Sequence, residues 1–260
     1  MRHGEGWLQA HPERELIVQR YLRYQKHLAT EALTRLIGDE ESDPEAEQEK
    51  KAEQEEAIEK PIALNQLRLD SVLQAITESG ATRVIDLGCG EGRLLRELLK
   101  QKQFQEIAGM DVSHRSLEIA SERLHMDTMP PKQKERIRLF QGSLIYKDKR
   151  LAGFEAATVV EVIEHLDPPR LAAFERVVFE HAKPNTIILT TPNMEYNVRF
   201  EALPAGQFRH KDHRFEWTRE QFQSWAEGLA QRYGYTVAFS PIGNEDAEVG
   251  APTQMGVFTK

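Results

Sequence analysis

The stretch Val84-Ile85-Asp86-Leu87-Gly88-Cys89-Gly90-Glu91-Gly92 decides the fold of this 260-residue chain. It opens with apolar residues that are typical of a buried strand, and it ends with glycines at three alternate positions. Glycine allows a tight turn and lets the backbone approach a ligand without a Cβ in the way. We therefore predict a strand that runs into a ligand-binding turn and then into a helix.

Short apolar runs and amphipathic segments alternate on both sides of this turn, from Pro61 onward. The runs predict seven strands, at Arg83–Leu87, Glu106–Val112, Arg136–Gln141, Ala156–Val160, Thr186–Thr191, Thr236–Ser240 and Gln254–Thr259. Helices are predicted to begin at Pro61 and to span Gly92–Lys100, Ser116–Leu124, Pro169–His181 and Thr218–Tyr233. Because no helix separates the last two strands, they predict an antiparallel hairpin at one edge. The pattern indicates an α/β fold with a doubly wound, mostly parallel seven-stranded sheet.

The residues before Pro61 have a different composition. An N-terminal helical extension over Pro12–Ile37 is predicted by apolar residues at helical spacing, namely Leu16, Ile17, Tyr21, Tyr24, Leu28, Leu33 and Leu36. Asp39–Lys60 carries eleven acidic residues and three lysines, which accounts for the whole formal charge of −8. We interpret this segment as a solvated linker, so that residues 1–60 precede a main domain at 61–260. Since the remaining chain is neutral, the net charge does not exclude a nucleic-acid substrate.

Composition also limits where the chain works. No apolar run approaches the roughly 20 residues that span a bilayer, and Met1–Trp7 has no apolar signal core. The single cysteine, Cys89, excludes an internal disulfide and lies in a glycine turn without a neighbouring histidine. We therefore expect a cytoplasmic protein with no membrane partner and no cysteine nucleophile.

Acidic residues around the glycine turn indicate which ligand it binds. Asp111 ends the second strand, nineteen residues after Gly92, where a carboxylate can accept hydrogen bonds from both ribose hydroxyls of an adenosine. Asp86 would repel a pyrophosphate but can pair with an ammonium group, which favours S-adenosylmethionine. Residues after the third strand can approach the adenine. The predicted cofactor-binding residues are Asp86, Gly88, Gly90, Gly92, Asp111, Ser143 and Leu144. Over Pro61–Lys260 the chain resembles the class I methyltransferase fold.

A second cluster of polar residues follows the fourth strand. Glu161, Glu164 and His165 would face the same way on a helical turn, and they are three potential metal ligands. The segment Phe208–Thr218, after the fifth strand, offers His210 and His213 as a fourth ligand. Spacing does not choose between these two histidines. Two carboxylates and two imidazoles suit Mn²⁺, Mg²⁺, Fe²⁺ or Zn²⁺.

Three segments together resemble the bacterial branch of the Hua-enhancer family of small-RNA 3′-terminal 2′-O-methyltransferases. They are Glu161-x-x-Glu164-His165, Thr191-Pro192-Asn193-Met194-Glu195-Tyr196-Asn197 and Asp212-His213-Arg214-Phe215-Glu216-Trp217-Thr218. The resemblance implies that Glu161, Glu164, His165 and His213 hold a divalent cation, with Mg²⁺ or Mn²⁺ favoured, and that they form the catalytic set. Bacterial members carry a further N-terminal domain, which we expect to be absent here, and work with a polynucleotide kinase-phosphatase-ligase in RNA repair.

The expected reaction is methyl transfer from S-adenosylmethionine to the 2′-hydroxyl of the 3′-terminal nucleotide of an RNA. A divalent cation lowers the pKa of a ribose hydroxyl, and a terminal ribose offers a vicinal diol as a chelate. We expect His165, rather than His210, to accept the 2′ proton if an imidazole does so. The candidate contacts to the terminal nucleotide are Asn193, Tyr196, His210 and Arg214. Phe215 and Trp217 are interpreted as core anchors of their loop.

Two other functions remain open from the sequence. A small-molecule O-methyltransferase, for example one acting on quinone precursors, shares the Glu-x-x-Glu-His pattern but gives no reason for Asp212–Thr218. A non-catalytic module could bind the cofactor and dock a repair partner without turnover.

Overall fold

A computed structural model describes residues 58–59 and 63–260. All of the described residues belong to one unit of the chain, Ala52–Lys260. The predicted helix at Pro12–Ile37, and the acidic segment except for Ile58 and Glu59, lie outside the described residues. Within the described part of the chain, no helix is both long enough and apolar enough to cross a membrane.

Seven strands form one sheet in the described domain. They are β1 (Arg83–Leu87), β2 (Glu106–Asp111), β3 (Ile137–Gln141), β4 (Ala156–Val160), β5 (Thr186–Pro192), β6 (Thr236–Ile242) and β7 (Thr253–Thr259). The strand order is β3-β2-β1-β4-β5-β7-β6. The first five strands are parallel, whereas β7 runs antiparallel to both β5 and β6. The predicted doubly wound sheet with an antiparallel edge hairpin is confirmed.

Six α-helices accompany this sheet in the described residues. They are α1 (Leu64–Glu78), α2 (Arg93–Lys100), α3 (His114–Arg123), α4 (Pro131–Lys134), α5 (Pro168–Glu175) and α6 (Arg219–Tyr233). The predicted helix Pro169–His181 is divided, because a π-helical segment over Arg176–Ala182 continues α5. α6 starts sharply because Thr218 and Gln221 form a capping box.

The sheet is covered on both faces, which explains the continuous apolar runs of its strands. Ile85 and Leu87 pack on one face with Phe179 and Phe222, in the larger of two buried clusters. Val84 lies on the other face, in a cluster that contains Leu94, Leu95 and Leu98 of α2. Because the carboxyl ends of β1 and β4 are adjacent at the point where the chain changes direction across the sheet, ligands are expected there.

Candidate active site

The glycine turn after β1 is fixed to the end of β2 by backbone and carboxylate contacts. The amides of Gly88 and Cys89 donate to the carbonyl of Met110 at 2.8 and 3.0 Å. The Asp111 carboxylate accepts hydrogen bonds from the amides of Gly90 and Ser113, both at 2.8 Å. Asp111 therefore stands at the mouth of the turn in a fixed orientation, and Gly142 also donates to its carbonyl at 3.0 Å.

Two glycines of the turn have different physical roles. Gly88 has a φ of +83°, and a Cβ there would lie 2.6 Å from Cγ2 of Val162, which follows the end of β4. Gly90 has a φ of +49°, and a Cβ there would meet no atom within 4 Å. Gly88 is therefore required for packing, whereas Gly90 borders open space that an adenosine ligand can occupy without meeting a side chain.

Asp86 is buried beneath this turn. Burial raises the pKa of its carboxyl to about 7, Asp111 adds to the rise, and a hydrogen bond from Oγ1 of Thr158 at 2.7 Å opposes it. Burial also raises the pKa of the Cys89 thiol, which keeps it protonated and unsuited to nucleophilic attack. Ser143 lies just beyond β3, and Leu144 packs into the larger buried cluster. The residues fit the ligand predicted for them, because a partly protonated carboxyl becomes fully ionised when an ammonium group pairs with it.

The acidic turn after β4 differs from the predicted helical face. Glu161 has a left-handed backbone with a φ of +52°, and a 3₁₀ turn begins only at Ile163–His165. Each glutamate is held by a threonine of β5: Thr190 Oγ1 donates to Glu161 at 2.7 Å, and Thr191 Oγ1 donates to Glu164 at 3.1 Å. The neighbouring strand, rather than helical periodicity, thus orients the two carboxylates.

Three imidazoles converge beside this turn. The candidate ligand atoms of His165, His210 and His213 all lie within 4.8 Å of one another. The ring of His165 is 5.3 Å from that of His210 and 4.8 Å from that of His213, measured between centroids. The sequence could not choose between His210 and His213, and the structure brings both to His165.

A buried carboxylate distinguishes His213 from His210. Nδ1 of His213 lies 2.6 Å from Oε1 of Glu216. Although burial raises the pKa of Glu216, hydrogen bonds from His213 and Asn197 and the charge of Arg209 lower it overall, so that Glu216 is ionised. An ionised carboxylate keeps the proton of His213 on Nδ1 and leaves the Nε2 lone pair available for a metal. Sequence analysis missed Glu216, although it lies three residues after a histidine.

His210 has the opposite tautomer. Its Nδ1 accepts a hydrogen bond from the Asp212 amide at 3.0 Å, so the ring proton of neutral His210 is on Nε2. Nε2 of His210 is therefore a hydrogen-bond donor. His165 reaches solvent, yet desolvation of its ring and the adjacent His213 and His210 lower its pKa to about 3. A neutral imidazole is the form that ligates metals.

Two buried arginines lie behind the acidic turn, and sequence analysis missed both. Nη2 of Arg68, on α1, is 3.0 Å from Oε2 of Glu161 and donates to Glu59 at 3.0 and 3.2 Å. Arg209 lies 3.4 Å from Glu59, and its backbone amide donates to Glu216 at 2.7 Å. The interpretation of the acidic segment as solvated is thus wrong at Glu59, because two guanidinium groups offset the cost of burying its charge.

The candidate substrate contacts occupy different environments. Asn193 is fully buried, and its amide nitrogen donates to the carbonyls of Val249 and Ala251, both at 2.8 Å. Its side chain thus holds the loop in this structure, which does not favour the predicted contact with a substrate. Tyr196 packs edge-on against Phe200, and Arg214 is exposed beside Asp167 at 3.4 Å.

The loop aromatics occupy the positions expected of core anchors. The rings of Phe215 and Trp217 stack at 4.4 Å, Trp217 contacts Trp225 of α6, and all three pack against the larger buried cluster. This packing holds the loop that carries the histidines against the sheet.

A mostly parallel sheet with this glycine turn, paired with Asp111 at the next strand, defines the class of S-adenosylmethionine-dependent methyltransferases. Family comparison agrees, because residues 21–238 match the model of a methyltransferase domain. The methyltransferase domain of a bacterial Hen1 protein, CtHen1-CN, is 54% identical and superposes with a TM-score of 0.71, covering 76% of this chain and all of that one. The chain belongs to the Hua-enhancer, or Hen1, family of small-RNA 2′-O-methyltransferases.

Longer relatives and a second family model add to this comparison. The small RNA 2′-O-methyltransferase of Gallus gallus is 37% identical over 207 residues, which cover 76% of this chain and 54% of the relative. The chain thus spans about half the length of the curated relatives that it matches. Residues 1–37 match the model of the "RNA repair, ligase-Pnkp-associating, region of Hen1". The Hen1 chain of a Pnkp1/Rnl/Hen1 RNA repair complex shares the fold, at 22% identity and a TM-score of 0.57, over 76% of this chain and 41% of that chain.

Proposed function

We propose that this chain transfers a methyl group from S-adenosylmethionine to the 2′-hydroxyl of the 3′-terminal nucleotide of an RNA, with a divalent cation. The observation that carries the proposal is the cluster of three imidazoles beside two oriented glutamates, at the sheet edge that also holds the cofactor turn. Membership of a family of small-RNA 2′-O-methyltransferases supports the choice of acceptor.

The proposed ligands are Glu161, Glu164, His165 and His213, which combine hard carboxylate oxygens with imidazole nitrogens. This donor set suits Mn²⁺ or Mg²⁺ and contains no thiolate. When bound, the cation would act as a Lewis acid that stabilises the 2′-oxygen as its proton leaves. Glu216 holds His213 in the tautomer that ligates, and Thr190 and Thr191 hold the glutamates.

We infer separate tasks for the residues around the acceptor. The Nε2 proton makes His210 a hydrogen-bond donor to a ribose oxygen, so His210 is unsuited to accept the 2′ proton. Arg214, exposed on the same loop, can reach a phosphate of the terminal nucleotide, and Tyr196 is a candidate for packing against it. Positioning of the hydroxyl in line with the sulfonium methyl supplies a large part of the rate.

The terminal nucleotide is the expected substrate because its ribose alone presents 2′ and 3′ hydroxyls together. A vicinal diol chelates a cation, whereas an internal ribose or a 3′-phosphorylated end does not offer one.

The test is transfer of a radiolabelled methyl group to four RNAs that differ only at the 3′-terminal ribose. With Mn²⁺ present, we expect labelling of the 3′-terminal diol, and at least about a hundredfold less labelling of the 3′-phosphate end. A 3′-deoxy end keeps the 2′-hydroxyl but not the diol, and we expect strongly reduced labelling there as well. The 2′-deoxy end is the control that identifies the acceptor atom. Equal labelling of the 2′-deoxy end would contradict the proposed acceptor, and full labelling of the 3′-deoxy end would contradict diol selection.

We also propose that residues 1–37 associate with an RNA-repair enzyme of the polynucleotide kinase-phosphatase-ligase type. The match of these residues to a ligase-Pnkp-associating region supports the proposal.

A further inference from the structure

Four buried charged residues form a network behind the proposed metal ligands, which we call the Glu59 network: Glu59, Arg68, Glu161 and Arg209. Arg68 lies between two carboxylates, with Nη2 3.0 Å from Oε1 of Glu59 and 3.0 Å from Oε2 of Glu161. Nη1 of Arg209 lies 3.4 Å from the same oxygen of Glu59. The side chains are at most 13% exposed, so that solvent screens these charges only weakly.

The members of this network come from distant parts of the chain. Glu59 precedes α1, Arg68 lies on α1, Glu161 follows β4, and Arg209 lies in the loop after β5. Glu59 contacts both arginines. Arg209 gives its other described side-chain hydrogen bonds to neutral oxygens, namely Oδ1 of Asn197 and the carbonyls of Asn193 and Pro252.

Within the network two positive charges are paired with two negative ones, and Glu216 is a further carboxylate near Arg209. This pairing of charges has consequences for a bound cation. Buried charges are tolerated when they are paired, and removal of one partner leaves an uncompensated charge. A cation bound by Glu161 must share this carboxylate with Arg68. The guanidinium then repels the cation unless another carboxylate compensates it, and Glu59 is in position to do so.

We propose that Glu59 and Arg68 are positioning residues that set the affinity of the site for a divalent cation. Arg68 holds Glu161 and competes with the cation for it, while Glu59 compensates Arg68 when Glu161 turns to the cation. The proposal rests on the proposed metal-dependent function, and it assigns a role in the site to a residue of the acidic segment.

The two residues are therefore expected to act in opposite directions on cation binding. Glu59→Gln keeps the shape of the side chain and removes its charge, so Arg68 repels the cation more strongly. Arg68→Met removes both the repulsion and the competition for Glu161. The double variant Glu59→Gln with Arg68→Met retains one negative charge, at Glu161, and one positive charge, at Arg209. The charges within the network are therefore equal in number again. If the two residues had only a structural role, each substitution would weaken Mn²⁺ binding.

The experiment is a titration of the full chain with Mn²⁺, in which electron paramagnetic resonance measures free Mn²⁺ without RNA or S-adenosylmethionine. We expect Glu59→Gln to weaken binding roughly tenfold, Arg68→Met to bind at least as tightly as the wild type, and the double variant to recover most of the loss. Glu78→Gln and Arg96→Met change the same charges at exposed helix positions, and both controls are expected to bind like the wild type.

Glu59→Asp retains the charge and provides a second probe that does not depend on the neutral variant folding. It should bind Mn²⁺ within about threefold of the wild type. Thermal unfolding and binding of S-adenosylhomocysteine, at the separate glycine turn, show that each variant is folded.

Three results would overturn the inference. One is unchanged Mn²⁺ affinity in folded Glu59→Gln, and another is equal weakening by Glu59→Gln and Arg68→Met. A third is complete loss of Mn²⁺ binding in folded Glu59→Asp. If the wild type itself takes up no Mn²⁺, the proposed metal requirement fails, which is a different result from unchanged affinity in the variants.

Discussion

His210 and His213 are three residues apart and carry the same side chain, yet the hydrogen bonds at Nδ1 give them different chemistry. Glu216 accepts from Nδ1 of His213, whereas the Asp212 amide donates to Nδ1 of His210. Only His213 therefore presents an Nε2 lone pair in its neutral form, and His210 presents an N–H group. The sequence pattern cannot show this difference, because the tautomer of each ring depends on which group forms a hydrogen bond with its Nδ1 in the folded structure.

This difference predicts separate effects on cation binding and on methyl transfer. His213→Ala should weaken Mn²⁺ binding by at least roughly tenfold, and Glu216→Gln should weaken it about 10- to 100-fold because the ring loses its orientation. His210→Ala should leave Mn²⁺ affinity within about threefold while reducing methyl transfer to RNA. The measurement is the same Mn²⁺ titration, followed by single-turnover methylation. Loss of Mn²⁺ binding in His210→Ala with retention in His213→Ala would show that the ligand assignment is wrong.

At the scale of elements, two connections on neighbouring strands depend on one another. The turn after β1 passes so close to the turn after β4 that Gly88 has room for no side chain beside Val162. The acidic turn then receives its orientation from Thr190 and Thr191 of β5. The cofactor turn and the proposed metal ligands are therefore positioned by three adjacent strands whose carboxyl ends meet.

A substitution at Gly88 tests this dependence. Gly88→Ala should destabilise the fold by about 2–4 kcal/mol, because overpacking against Val162 adds to the cost of a left-handed backbone. Gly80→Ala is the matched control: its φ is +70° and a Cβ there meets no atom within 4 Å, so it should cost only about 1 kcal/mol. Chemical denaturation measures both values. The packing explanation requires that Val162→Ala restores part of the loss in Gly88→Ala, and equal costs at the two glycines would refute it.

At the scale of the molecule, residues 1–37 carry a pattern that differs from the rest of the chain. They match the ligase-Pnkp-associating region of Hen1, and residues 21–238 match a methyltransferase domain, so that the two matches overlap only over residues 21–37. Methyl transfer and partner association are therefore expected to be separable, since the proposed catalytic residues all lie beyond residue 60.

Substitutions in this first segment test that separation. Leu16→Glu with Tyr21→Glu introduces charge on the apolar face of the predicted helix and should weaken association with a polynucleotide kinase-phosphatase-ligase at least roughly tenfold. Methylation of a short RNA by the isolated chain should remain unchanged. Sedimentation of the mixed proteins measures the association, and Gln19→Glu with Thr30→Glu adds the same charge on the opposite face of the predicted helix as a control. Unchanged association in the Leu16 and Tyr21 variant would argue against this segment as the docking site.

The sequence by itself determined the order of strands and helices, the antiparallel edge and the cofactor turn. Local patterns suffice for these features. Strands, helices and the glycine turn after β1 each consist of consecutive residues, and their apolar spacing and glycines can be recognised without knowledge of the tertiary structure. Only the tertiary structure shows which remote residues contact the candidate site. Arg68 is distant in sequence from Glu161, which it contacts, and Glu59 contacts Arg68 in turn. Glu216 contacts His213 at a spacing that sequence analysis did not recognise. Asn193 donates a hydrogen bond to the remote carbonyl of Val249. Hydrogen bonds and ion pairs between remote segments form only when the sheet brings those segments together.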